Sequence, residues 1–350
     1  MNDSDSDRAA TAATDQTLPP AVQVVQMAGG LAISRAVFAA AELGIADHLK
    51  DGSRSSEEIA QATGTHALSL YRLLRFMSGF GFFVEDADKR FSLTPLGAAL
   101  QSDAPGYARS TVRMLAGSTA WRVWGEFLHS VKTGETGVEK AIGQSMFDYL
   151  STQPEEATIF NEAMIGFHAG EKPAVAAAYD FSGIQRLVDV GGGTGNLLAT
   201  ILLANPELRG VLYDLAHVVA EARHQIEMNN LSERCEIVSG SFFDSVPSGG
   251  DAYLLSHIVH DWEEQKCLKI LENCRRAMPD NGRLLLVEWV MPSGNDLHPA
   301  KFLDLTMLVY TGGRERTEEE YAALFAKSGF KLTRVVPTQS PASVIEAQPV

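Results

Sequence analysis

Cysteine is scarce: Cys235, Cys267 and Cys274 are the only three in 350 residues. They are too few and too irregularly spaced for a disulfide framework or a zinc site, so a reducing, cytoplasmic setting is expected. Positive charge is short as well. Lys and Arg number 29 against 44 Asp and Glu, a net charge of −15, which argues against a nucleic-acid-binding or anionic-membrane surface. No apolar run approaches a membrane span, and no charged-then-apolar leader opens the sequence. Against these absences stands a 45% hydrophobic content, enough to fill a sizeable core over a length typical of two domains. Residues 1–20, rich in Asp, Ser, Ala and Thr, read as a disordered tail.

The segment that says most is Leu187-Val188-Asp189-Val190-Gly191-Gly192-Gly193-Thr194-Gly195. An apolar strand ends in an acid, breaks into glycines and resumes as the helical pattern of residues 196–204, the opening of a nucleotide-binding α/β unit. The turn needs backbone angles that a Cβ forbids, and a ligand must approach the main chain closely. The spacing Gly191-x-Gly193-x-Gly195 departs from the dinucleotide fingerprint Gly-x-Gly-x-x-Gly. Asp189 on the ligand side would not welcome a phosphate. A cationic adenosine derivative without phosphate, S-adenosylmethionine, suits this electrostatics better than a nicotinamide dinucleotide. A second apolar strand, Gly210-Val211-Leu212-Tyr213-Asp214, puts an acid where ribose hydroxyls would donate to it.

Residues 21–106 form a mainly helical first domain. Val37, Phe38, Ala41, Leu43 and Ile45 suggest one amphipathic helix. Ser55-Ser56-Glu57-Glu58 caps a helix over 59–63, Gly64 turns the chain, and 67–78 is a longer helix. Gly81-Phe82-Phe83-Val84-Glu85 and Arg90-Phe91-Ser92-Leu93 flank a polar turn as a hairpin. Helix, turn, helix and hairpin make a winged-helix pattern, which raises DNA binding as a rival reading. Charge argues against the rival, because Arg72 and Arg75 are interleaved with Leu70, Leu73, Leu74 and Phe76 instead of sharing one exposed basic face. The apolar helix surface suggests burial against a second copy of the chain. Residues 107–180 read as a helical bridge. Its Met146, Phe160, Met164 and Phe167 are either core or the lining of a pocket for a planar aromatic molecule.

From 181 to 350 strands alternate with helices, the pattern of a mostly parallel sheet covered on both faces. Ligands in such sheets sit beyond the carboxyl ends of the strands. Asp189, Asp214, Ser241, His257 to Asp261 and Glu288 all fall at those ends. Within this set His260 is the expected general base, since an imidazole titrating near neutrality can take a proton from a hydroxyl. Glu288 ends the next strand, and Glu315 lies in a loop able to fold back over the edge. Either carboxylate could fix the imidazole tautomer.

At these residues the chain resembles the class I S-adenosylmethionine-dependent O-methyltransferases of the caffeic acid and acetylserotonin type, whose bacterial members act on natural-product phenols. The resemblance rests on the glycine loop, the Asp214 strand tip, Gly240-Ser241-Phe242-Phe243, His260-Asp261-Trp262, Glu288 and Gly312-Gly313-Arg314-Glu315-Arg316-Thr317. It implies a Rossmann-like α/β catalytic domain behind a winged-helix dimerisation domain that closes the partner's pocket, with no metal. It implies His260 as base flanked by Glu288 and Glu315. Asp189, Gly191, Gly193, Asp214, Gly240, Ser241, Phe242 and His257 would hold the donor, which leaves as S-adenosylhomocysteine. Leu303 and Met307 would complete the acceptor pocket. Ser241 and Ser256 stand where plant members have an acid and a lysine, so donor contacts would be rearranged, with His257 as a substitute. C- or N-methyl transfer and a diverged reaction on the same fold stay open as alternatives.

Overall fold

A computed structural model describes residues 18–350, and these divide into two units between Ser102 and Asp103. In the first, Ser55 caps the helix Ser56–Thr63, its hydroxyl accepting from the Glu58 amide while the Glu58 carboxylate accepts from the Ser55 amide. This reciprocal capping is the arrangement that Ser-x-x-Glu spacing predicts. Helices Ser56–Thr63 and Ala67–Gly79 are followed by the hairpin strands β2 (Phe83–Glu85) and β3 (Arg90–Leu93). A two-residue strand β1 (Arg54–Ser55), too short to leave a periodic signal, pairs antiparallel with β3.

One helix expected over residues 37–45 is two. Gly44, in the left-handed region at φ 62°, separates Gly30–Glu42 from Ile45–His48, and such an angle ends a right-handed helix. A second correction concerns apolar length. Residues Pro20–Glu42 are long and apolar enough, by length and composition, to cross a membrane, with mean hydropathy 1.5. The signal was spread across the Gly29-Gly30 break rather than held in an unbroken run. Val24, Val25 and Met27 of this stretch are exposed.

The second unit is organised by a seven-stranded sheet. Its strands are β4 (Arg186–Val190), β5 (Arg209–Asp214), β6 (Cys235–Ser239), β7 (Ala252–Ser256), β8 (Arg283–Glu288), β9 (Phe330–Pro337) and β10 (Ser343–Pro349). The order is β6-β5-β4-β7-β8-β10-β9. Strands β4 to β8 pair in parallel, and β10 runs antiparallel between β8 and β9. The chain winds outward from β4 through β5 to β6, then returns to β7 and winds the other way. The carboxyl ends of β4 and β7 therefore flank the crevice where such sheets take their ligands.

Both faces of the sheet are buried, and neighbouring strand residues divide between two cores. Leu187, Leu212, Leu254 and Leu285 join Leu198, Ile201 and Leu202 of the helix Asn196–Ala204 on one side. Val188, Val211, Tyr253 and Leu284 join Ile270, Leu271 and Phe325 on the other. This is the period-two alternation of strands covered on both faces, which leaves the near-continuous apolar runs visible in the sequence. Leu198 is fully buried, so Leu198→Ala is expected to cost about 2–5 kcal/mol. Urea unfolding should show a lower midpoint at unchanged slope.

Helices between Ala108 and Ala178 belong to this second unit. Gly166 on the helix Pro154–Phe167 lets the Gly106 carbonyl come close, since a Cβ there would stand 2.3 Å from that oxygen.

Candidate active site

The glycine loop after β4 turns through three left-handed residues, Gly191 (φ 73°), Gly193 (φ 57°) and Gly195 (φ 76°). Gly191 donates its amide to the Tyr213 carbonyl at 2.8 Å, and a Cβ on it would stand 2.6 Å from Ile258 Cδ1. Gly193 donates to Asp214 Oδ2 at 2.8 Å, and the space where its Cβ would stand is open for 4 Å. The loop is thus tied down on one side and clear on the other, as a cradle for a small ligand requires. Asp214 Oδ1 accepts from the Leu215 amide at 2.7 Å.

Asp189 lies beneath the loop, buried, with neither carboxylate oxygen hydrogen-bonded. Burial first, and the charge of Asp214 second, push it up to about 7. A cation over the loop would answer this pair of acids, whereas a phosphate would be repelled. Gly240, past β6, has no room for a side chain because a Cβ would stand 2.4 Å from Tyr213 Oη. Ser241 Oγ accepts from the Phe243 amide at 3.2 Å. Phe242, Phe243 and Trp262 meet edge to face.

Past β7 a single helical turn, Val259–Asp261, carries His260. His260 Nδ1 hydrogen-bonds Glu315 Oε1 at 2.7 Å and lies 3.4 Å from Glu288 Oε2. Its Nε2 lies 3.7 Å from Asp261 Oδ1. Glu288 is fully buried at the end of β8, and its Oε1 accepts from the Val259 amide at 2.9 Å. Glu315 is fixed through its own amide, which donates to Asp304 Oδ1 at 2.9 Å. The three residues expected to carry the chemistry are therefore brought together around the His260 Nδ1.

The carboxylates around His260 shift its titration upward. Burial pulls it down, but the charges of Glu288, Asp261 and Glu315 outweigh this and push it up to about 10. With both glutamates ionised, this imidazole would hold its proton too tightly to act as a base at neutral pH.

Sequence reasoning missed the neighbours that frame this centre. Glu171, buried at the start of the helix Glu171–Ala178, hydrogen-bonds His257 Nε2 at 2.7 Å and His168 Nδ1 at 2.9 Å and accepts from Trp289 Nε1. Burial raises its carboxyl, yet the two histidines override that and hold it well below the usual carboxylate range. His257 adopts φ 53°, an angle uncommon for a residue with a Cβ, which turns its ring toward the bridge. His257 thus bonds Glu171, and its ring stands 5.2 Å from that of His260. The spacing His168-x-x-Glu171 was the only local signal of this cluster.

Of the expected pocket residues, Phe160, Met164 and Phe167 lie half-buried at i, i+4 and i+7 on the helix Pro154–Phe167, which is one helical face. Phe167 stacks on Trp289 with ring centres 5.5 Å apart. Leu303 and Met307 belong to the same core as Trp289 and Phe167. Met146 packs instead on a separate cluster of Val123, Val138 and Val309.

An O-methyltransferase domain matches residues 124–331 and an O-methyltransferase dimerisation domain matches residues 25–103. Phenazine O-methyltransferase PhzM of Lysobacter antibioticus is 44% identical over 93% of this chain and 96% of its own. The structure of mitomycin 7-O-methyltransferase MmcR superimposes with a TM-score of 0.90 at 37% identity, over 94% of this chain and 98% of that one. NcsB1 from neocarzinostatin biosynthesis, solved with S-adenosylmethionine and 2-hydroxy-5-methyl naphthoic acid, gives 0.82 at 34% identity over 91% and 96%. This chain belongs to the O-methyltransferase family, a dimerisation domain followed by an O-methyltransferase domain.

Proposed function

We propose that the protein transfers a methyl group from S-adenosylmethionine to a hydroxyl of a small aromatic natural product. The observation that carries this reading is His260, whose Nδ1 is held by Glu315 while Nε2 stays clear of hydrogen bonds to carboxylates. The donor-side residues fit a cationic nucleoside, with open space over Gly193, an acid at Asp214 and unpartnered Asp189 beneath. Gly191, Gly193, Asp214, Gly240, Ser241 and Phe242 would hold it, and when bound it supplies an electrophilic methyl on a sulfonium.

His260 Nε2 takes the hydroxyl proton, and Glu315 accepts the Nδ1 hydrogen and steadies the imidazolium that forms. An aromatic hydroxyl with a pKa near ~10 needs only that proton removal and correct placement to become a good nucleophile. Phe160, Met164, Phe167, Leu303 and Met307 supply an apolar, adaptable wall for a flat acceptor. The phenazine and naphthoate chemistry of the relatives supports a fused aromatic acceptor. Exposed Val24, Val25 and Met27 in the first unit, with the dimerisation-domain match, support a homodimer. Light scattering should return twice the chain mass, and a monomer mass would remove that assignment.

The test is incubation with methyl-labelled donor and a panel of phenols, hydroxynaphthoates and hydroxyphenazines. Label on an acceptor oxygen is the expected result, and label only on nitrogen or carbon would overturn O-transfer. Asp214→Ala should weaken donor binding by about 1.5–3 kcal/mol, the loss of hydrogen bonds to a charged group. An unchanged calorimetric affinity would remove Asp214 from the donor site.

A further inference from the structure

Carboxyls and imidazoles alternate in a line that starts at Glu315 and His260 and runs on through groups the methyl transfer does not use, His257 and Glu171. Glu315 Oε1 meets His260 Nδ1 at 2.7 Å, and Glu288 Oε2 lies 3.4 Å from the same nitrogen. Glu288 Oε2 then faces His257 Nδ1 at 3.9 Å, and His257 Nε2 meets Glu171 Oε2 at 2.7 Å. Among the described residues, three side-chain atoms of this line are buried with no hydrogen-bond partner, Glu288 Oε2, His257 Nδ1 and Glu315 Oε2, and the first two face one another.

The tautomers follow from the outer partners. Against the effect of burial, His168 and His257 hold the Glu171 carboxyl well below the usual carboxylate range, so it is ionised and can only accept, and His257, with Nε2 at 2.7 Å from it, carries its hydrogen on that nitrogen. The Nδ1 of His257 is then a bare lone pair. Opposite an ionised Glu288 that lone pair would meet a second acceptor, and both buried atoms would stay unsatisfied. One proton between them would satisfy both atoms, once the 3.9 Å gap narrows while Oε1 stays on the Val259 amide.

We infer that Glu288 works as a neutral acid, its proton on Oε2 directed at His257 Nδ1, with Glu171 and His257 as positioning residues that keep it there. The inference rests on the reading of His260 as the base. It leaves the Nδ1 side of His260 facing one carboxylate, Glu315, instead of two, with Asp261 still 3.7 Å from Nε2, and so weakens the hold of the imidazole on its proton. Burial, working against the pull of His260, raises Glu288 in the same sense. The proton belongs on Glu288 and not on His257, whose ring centre is 4.1 Å from His168 and 5.2 Å from His260. A second imidazolium there would oppose the one formed in the reaction.

The other groups within electrostatic reach do not supply that proton's counterpart. Tyr321 and Cys267 are raised by burial and stay neutral. Arg316 directs its guanidinium to the Val259 and Arg314 carbonyls and to Cys267 Sγ. Asp261 lies on the Nε2 side of His260.

Three variants and two spectra test the inference. Glu288→Gln keeps the shape and neutrality of the protonated acid and should lower kcat at least tenfold less than Glu315→Gln, which should lose about 10²-fold or more. His257→Leu removes the acceptor, favours ionised Glu288, and should move the acid limb of the kcat/KM profile up by about one pH unit. A purely structural role would leave that limb in place. Infrared spectra of the ligand-free protein at neutral pH should show a protonated carboxyl band that Glu288→Gln removes. Equal losses in Glu288→Gln and Glu315→Gln, no band removed, or nitrogen NMR placing a hydrogen on His257 Nδ1 would each overturn the inference. A parent protein without methyl transfer would overturn the functional reading instead, and the infrared difference would still decide where the proton sits.

Discussion

Replacing His260 with alanine is expected to lower kcat by about 10²–10⁴-fold, the range of a lost general base, while leaving donor affinity unchanged. The separation follows from placement. His260 sits on the turn after β7, with Nδ1 bound by Glu315 at 2.7 Å, while the glycine loop and Asp214 stand at the ends of β4 and β5. Removing the imidazole therefore takes away the proton acceptor without touching the residues assigned to the donor. It also leaves Glu288 and Glu315 buried without their shared partner, which costs stability. A thermal melt beside the rate measurement separates that loss from the catalytic one. Full activity in a folded His260→Ala protein would remove the general-base assignment.

Gly313→Ala is expected to be nearly as damaging, although Gly313 touches no substrate in this account. A Cβ there would stand 1.9 Å from the His260 carbonyl oxygen and 2.6 Å from the Asp261 carbonyl carbon. Both are backbone atoms, so no side chain can swing aside. The loop must lift away from the His260 turn, and Glu315 follows two residues later. Forced overpacking of this kind costs roughly 1–3 kcal/mol, and a misplacement on the order of 1 Å at an orienting group costs about 10²-fold in rate. The measurements are the melting temperature and kcat of the same preparation. Parental values for both would show that the loop does not need this close approach.

Much of this was legible in the chain before any coordinates. The strands beneath the site are buried on both faces, so they appear as short apolar runs that end in Asp189, Asp214 and Glu288. Glycines follow the first of these runs for a stereochemical reason, and the structure turns Gly191, Gly193 and Gly195 through positive φ. His260, Glu288 and Glu315 could be grouped because the first two end neighbouring strands and the third sits in the loop that returns to that edge.

What escaped the sequence was tertiary. His257 and Glu171 are 86 residues apart, and their 2.7 Å contact exists only once the helix Glu171–Ala178 packs against the strand ends. The raised basicity of His260 escaped for the same reason, since it depends on carboxyls gathered from three parts of the chain. Gly313 carries no positive-φ signature at all, and its need for a missing Cβ is set by a backbone 53 residues upstream. Gly44 and the two-residue β1 were lost at the scale of a single turn, below the window that periodicity reads.

The central claim is that the glycine loop, Asp189 and Asp214 form a site for a sulfonium nucleoside. Calorimetric titration of the intact protein with S-adenosylmethionine, then with S-adenosylhomocysteine and NADH, tests it most directly. Saturable binding of the first two and none of NADH is the result this account predicts. Silence from both sulfur nucleosides, or binding of NADH in their place, would contradict it.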